Sequence, residues 1–100
     1  DDRASIRYSI GENYFNMGDY NNARREFFSL TFNTKISTNW IASSLTQVAE
    51  CYTAQGDIDQ AIAALEQVKV RFGATSSFGV SAENRIQKLR NRGGSNFLPR

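Results

Sequence analysis

Residues 10–27 read IGENYFNMGDYNNARREF and residues 48–65 read VAECYTAQGDIDQAIAAL, and these two stretches decide the fold. Displaced by 38 residues, Ile10 falls on Val48, Gly11 on Ala49, Tyr14 on Tyr52, Gly18-Asp19 on Gly56-Asp57, Ala23 on Ala61 and Phe27 on Leu65. Matches of this kind at one offset identify an internal repeat. The residue types carry a packing logic. A small residue (Gly11, Ala49) suits the place where two antiparallel helices touch, an aromatic three positions on fills the groove, and an Ala (Ala23, Ala61) suits the opposite crossing.

Outward from these stretches the apolar residues keep helical spacing. Ile6, Ile10, Tyr14 and Met17 mark the core face of a first helix, and Ala23, Phe27 and Leu30 that of a second, with Gly18-Asp19 as the turn between them. Ile41, Leu45, Val48, Ala49 and Tyr52, then Ile58, Ala61, Ile62, Leu65 and Val68, repeat the design around Gly56-Asp57. Asp57 with Gln60 resembles a capping box, and Gly18, Gly56 and Gly73 stand where helices end in a left-handed residue. Ala82, Ile86 and Leu89 predict a fifth helix that starts near Ser76-Ser77 and ends at Gly93-Gly94. The expected organisation is one domain over 1–92, with repeat one at about 4–37, repeat two at about 42–75 and a capping helix at about 77–92, followed by a flexible tail at 93–100.

One hundred residues, 40% of them apolar with a single Pro, are enough for one small domain with a modest core and too few for a large catalytic barrel. The chain has no His and one Cys, so neither a catalytic triad built on imidazole nor an intrachain disulfide is available, and no metal site or cofactor is expected. No apolar run approaches the roughly 20 residues that span a bilayer. The start, Asp1-Asp2-Arg3, lacks Met and an apolar leader, which suggests a piece of something longer. The net charge of +2 conceals a polarity: residues 1–68 carry five Lys/Arg against nine Asp/Glu, and residues 69–100 carry seven against Glu83 alone.

A large and a small residue followed by an aromatic, then Gly-Asp, then Ala and a bulky residue four later: this pattern resembles the tetratricopeptide repeat family. Ile10-Gly11, Tyr14, Gly18-Asp19-Tyr20, Ala23 and Phe27 fit one repeat, and Val48-Ala49, Tyr52, Gly56-Asp57-Ile58, Ala61 and Leu65 fit a second, with Val80 to Arg90 as a further first helix or cap. The resemblance implies an all-α fold, antiparallel helix pairs stacked as a right-handed α-solenoid. Arg7 stands where the family often has Trp, Lys35 and Gly73 where it often has Pro, and the period exceeds the usual length of about 34, so the turns between repeats are expected to differ. The longer links and the run Arg71 to Ser77 are similar to repeats of bacterial envelope proteins, such as the outer-membrane assembly lipoprotein and the Tol–Pal coordinator, which favours periplasm or envelope over cytoplasm. Two repeats and a cap are near the lower limit for a solenoid. Either the chain is one end of a longer array or it associates with itself.

In this family the first helix of each pair lines a concave groove that binds a protein or peptide. The resemblance assigns to that surface Ser5, Tyr8, Glu12, Phe15 and Asn16 from repeat one, and Ser43, Thr46, Glu50, Thr53 and Ala54 from repeat two; Ser81, Asn84 and Lys88 extend it. Tyr8 and Phe15 are either its anchors or packed against a neighbouring helix. Glu12 and Glu50 either receive Lys or Arg of a partner or are solvated, and their sign excludes the carboxylate clamp of the chaperone-binding members. Trp40, Phe28, Phe32, Phe72 and Phe78 exceed what the pattern needs and are expected to seal the inter-repeat turns and stack ends. Cys51 reads as a small packed thiol.

Arg85, Lys88, Arg90 and Arg92 form a basic end on or just after the fifth helix, with no interleaved aromatic to stack on bases. The expected function is therefore a non-catalytic protein-binding module. Its alternatives are a self-assembling homo-oligomer and, less favoured, a nucleic-acid binder using the basic end.

Overall fold

The computed structural model describes residues 2–33 and 35–94. Among them the chain forms five helices and no strand: α1 (Asp2–Asn16), α2 (Tyr20–Leu30), α3 (Thr38–Ala54), α4 (Ile58–Phe72) and α5 (Ser77–Gly94). The expected tail residues 95–100 and the side chain of Arg92 lie outside what is described.

The two Gly-Asp steps have the same geometry. Gly18 and Gly56 both take φ of 81°, a left-handed conformation that a side chain would strain. The Asp19 amide donates to the Tyr14 carbonyl and the Gly18 amide to Phe15, and Asp57 and Gly56 repeat these bonds to Tyr52 and Thr53. This is the Schellman arrangement, which satisfies the carbonyls left over at a helix end. The same Asp then opens the next helix, its carboxylate accepting from the Asn22 amide in one repeat and the Gln60 amide in the other, both at 3.3 Å. Such a cap contributes about 1 kcal/mol.

The repeats diverge at their far ends. α2 stops at Leu30, where the Thr31 hydroxyl bonds the Phe28 carbonyl at 2.7 Å, whereas α4 runs one turn further, to Phe72. Lys69 and Arg71 occupy that extra turn, where cations favour the helix C-terminus. Ser37 accepts from the Trp40 amide and starts α3 at Thr38, ahead of the 42 expected for the second repeat. Ser76 accepts from the Gly79 amide at 3.0 Å and starts α5.

Each helix packs chiefly on its neighbours in the chain, so α3 is covered by α2 and α4, and α4 by α3 and α5. The main core runs through α2 to α5, with Phe27, Leu45, Val48, Leu65, Val68 and Ile86 nearly sealed from solvent. Ala4, Leu30 and Ile36 form a smaller cluster with Tyr8, Trp40 and Ile41 packed against it. Gly11 is needed for space: a Cβ there would meet the Phe27 ring at 2.8 Å. Ala49 can replace it in repeat two because the residue matching Phe27 is the smaller Leu65.

Two expectations are corrected. On α1 the inward stripe is Ala4, Tyr8, Gly11 and Phe15, while Ile6 is 61% exposed, Met17 70%, and Ile10 is also exposed. The counterparts of Ile6 and Ile10 38 residues on, Ser44 and Val48, are buried because α3 lies between two helices, and α1 packs chiefly on one; Gln55, the counterpart of Met17, is exposed as Met17 is. Of the extra aromatics, Trp40 packs on Tyr8 (centroids 5.3 Å apart) and Phe72 on Phe78 (5.4 Å), sealing the ends as expected. Phe28 and Phe32 instead form an edge-to-face pair in solvent, Phe32 being 68% exposed, because α2 ends before it can carry them under the next link.

A Cβ on Gly79 would fall 2.0 Å from the Gly73 carbonyl oxygen, so α5 can enter the stack only without one. On an open helix Gly→Ala adds about 1 kcal/mol; here Gly79→Ala is expected to remove about 2 kcal/mol or more through backbone displacement. Urea unfolding measures the sign, and unchanged or raised stability would refute this reading of the α4–α5 junction.

Candidate binding surface

Three connected hollows lie along the side of the stack formed by α1, α3 and α5. One of about 420 Å³ is lined by Ser9, Glu12, Asn13, Phe15, Asn16 and Gln47. One of about 390 Å³ includes Tyr8, Ser43, Thr46, Gln47, Ser81 and Arg85. One of about 350 Å³ includes Glu50, Thr53, Ser81, Asn84, Arg85 and Lys88. Gln47 is shared by the first two and Arg85 by the last two, so the surface is continuous. It brings together the residues assigned from the sequence except Ser5 and Ala54, which are exposed beside it.

The aromatic residues are half-buried. The Tyr8 ring packs edge-on against Phe27 at 5.1 Å, and Phe15 against Tyr20 at 5.1 Å. Burial pushes the Tyr8 phenol above its ordinary pKa, opposed by a hydrogen bond with Gln47 and aided by the charge of Glu12. Tyr8 and Phe15 are thus wall and floor, each presenting one edge. The Thr46 and Thr53 hydroxyls donate to Ala42 and Ala49 one turn back, both at 2.9 Å, which leaves their methyl groups and acceptor lone pairs for a ligand.

The two glutamates are not equivalent. Glu50 is paired with Arg85 of α5, while Glu12 is exposed beside Gln47, the residue 38 positions before Arg85. Gln47 escaped the sequence reading because nothing in its own helix marks it; the repeat offset applied to Arg85 would have found it. The basic end is also redistributed. Arg85 is held by Glu50, and Arg90 lies 3.6 Å from Glu66, leaving Lys88 as the exposed cation of the described part of the helix without a carboxylate partner. Arg85 and Arg90 thus tie α5 to the body.

Cys51 is fully buried, and burial pushes its thiol up to about 11, partly offset by Arg24, which makes it a poor nucleophile. Among the described residues no cluster of His, Cys, Asp or Glu could hold a metal ion, and no helix is long and apolar enough to cross a membrane.

Paired helices repeated at a fixed offset and stacked along one axis define an α-helical repeat protein. Family profiles described as tetratricopeptide repeat match residues 4–27 and 43–74, one within each helix pair, and the chain belongs to the tetratricopeptide repeat family. Searches of curated proteins and of solved structures give no match.

Lys69 and Glu83 tie α4 to α5 at 2.6 Å. The bond to Glu83 raises the Lys69 pKa above 10.5, and the bonds from Lys69 and Gln87 lower that of Glu83 below 4.5. A lowered carboxyl pKa stabilises the fold fully above the unfolded value and ceases to do so as pH falls through the folded value; the raised Lys69 contribution disappears only as pH rises past its folded value. Glu83→Gln is therefore expected to lower Tm at neutral pH, with the difference from wild type shrinking as pH drops below about 4.5. A difference constant from pH 7 to 3 would contradict the pairing.

Proposed function

We propose that the chain is a non-catalytic interaction module that holds a protein or peptide segment against the α1, α3 and α5 face. The continuity of the three hollows across Gln47 and Arg85 supports this, since one extended segment could lie along them. Hydroxyls, amides and the edges of Tyr8 and Phe15 supply hydrogen bonds and apolar contact. Glu12, the uncompensated carboxylate of the surface, would receive a Lys or Arg of the partner, and the neutralised Glu50–Arg85 end would take an uncharged stretch. The long links and the run Arg71 to Ser77 support a place in a bacterial envelope or secretion assembly.

A second reading rests on α1. Ile6, Ile10 and Met17 form an exposed apolar stripe, the counterparts of the first two, Ser44 and Val48, are covered in repeat two, and a second copy could cover it.

Two experiments separate the readings. Glu12→Lys and Ser43→Trp should each reduce binding of a partner recovered with the full-length parent at least tenfold while helix content stays unchanged, and full retention in both would overturn the groove. Sedimentation across a concentration series tests self-association: an oligomer abolished by Ile6→Glu supports the second reading, and a monomer throughout removes it.

A further inference from the structure

A hollow of about 630 Å³, larger than the three above, lies on the other side of the stack, in the trough between α2 and α4. Arg24, Arg25 and Phe28 form one wall, Ala63 and Ala64 the other, and Tyr52 of α3 lies at the floor. Each wall uses positions spaced three and four apart, so the trough follows the helix axes. The two alanines leave the space, and the exposed Phe28–Phe32 pair extends the apolar surface at one end.

The charge around this trough has one sign. Among the described residues no carboxylate lines it. Among the described residues Arg7, Arg85 and Arg90 have carboxylate partners, whereas the three arginines here, Arg24, Arg25 and Arg71, have none. Arg24 is held in place without being neutralised: its guanidinium stacks 4.6 Å from the Tyr52 ring centre and donates to Gln55 at 2.6 Å and to Asn21 at 3.2 Å. At the other end Arg71 reaches across from α4 and donates to the Thr31 carbonyl at 3.1 Å. From Arg24 to Thr31 is about 10 Å along α2, or two helical turns.

We infer that this trough is a second docking site, for an amphipathic helix of a protein partner that lays apolar side chains between α2 and α4 and places carboxylates two turns apart on Arg24/Arg25 and Arg71. A helix seated in a groove uses apolar anchors at this spacing, and guanidiniums held by neutral acceptors keep their charge for an incoming carboxylate. The site is independent of the α1, α3 and α5 surface.

The test uses the intact chain and labelled synthetic peptides, read by fluorescence anisotropy. One peptide carries Leu at helical spacing and Glu seven residues apart, and the other carries Lys in place of Glu. The Glu peptide is expected to bind at least tenfold more tightly than the Lys peptide. Arg25→Glu and Ala63→Trp should each weaken it tenfold or more with unchanged circular dichroism. The inference is overturned if the Glu peptide does not bind, if the Lys peptide binds as well, or if Ala63→Trp has no effect. It is also overturned if heparin displaces the peptide from wild type and Ala63→Trp alike, or if Ala63→Trp abolishes self-association, which would assign the trough to a second copy.

Discussion

A helix that ends must satisfy its last carbonyls, and the helix that follows must satisfy its first amides; here one Gly-Asp dipeptide does both. The glycine turns the chain back with a left-handed φ, the aspartate amide closes onto the helix just finished, and the aspartate carboxylate holds the amide of the helix just begun. Because both steps share one geometry, both pairs leave the turn at the same angle and can stack as copies. The position of the first helices on one side of the slab and the second helices on the other follows from that repetition, and so do the two troughs.

Stacking then distributes burial unevenly. A helix with neighbours on two sides needs apolar residues on two stripes, and a terminal helix needs one. This explains why the periodicity of α1 misleads: Ile6, Ile10 and Met17 are strongly apolar, yet the stripe that packs is Ala4, Tyr8, Gly11 and Phe15. Spacing reveals that a helix has an apolar face without revealing which neighbour covers it. Ser44 shows the converse, a polar residue with a buried hydroxyl that no hydrogen-bond partner reaches, at a position polar enough in sequence to suggest solvent.

The turns, the five helices and the small-residue crossings were legible because local rules of capping and period determine them. The binding surface was legible in outline for the same reason, since the repeat places its residues on one side. What could not be read were relations between distant residues: Glu50 with Arg85, Arg24 with Tyr52, and the exposure of Phe28 and Phe32, which depends on α2 ending a turn before α4 does. Charge counted along the chain suggested a basic end, whereas charge counted in space shows α5 tied down and the unpaired guanidiniums gathered elsewhere.

The contact of Gly11 with Phe27, set beside Ala49 and Leu65, has an evolutionary consequence. Each repeat has divided nearly the same volume differently between a first-helix residue and its second-helix partner. Exchanging one member alone overfills the crossing or leaves it hollow, and exchanging both restores it. The two repeats can therefore drift apart only by paired steps, and a repeat can be transplanted only as a whole helix pair, never as a single helix.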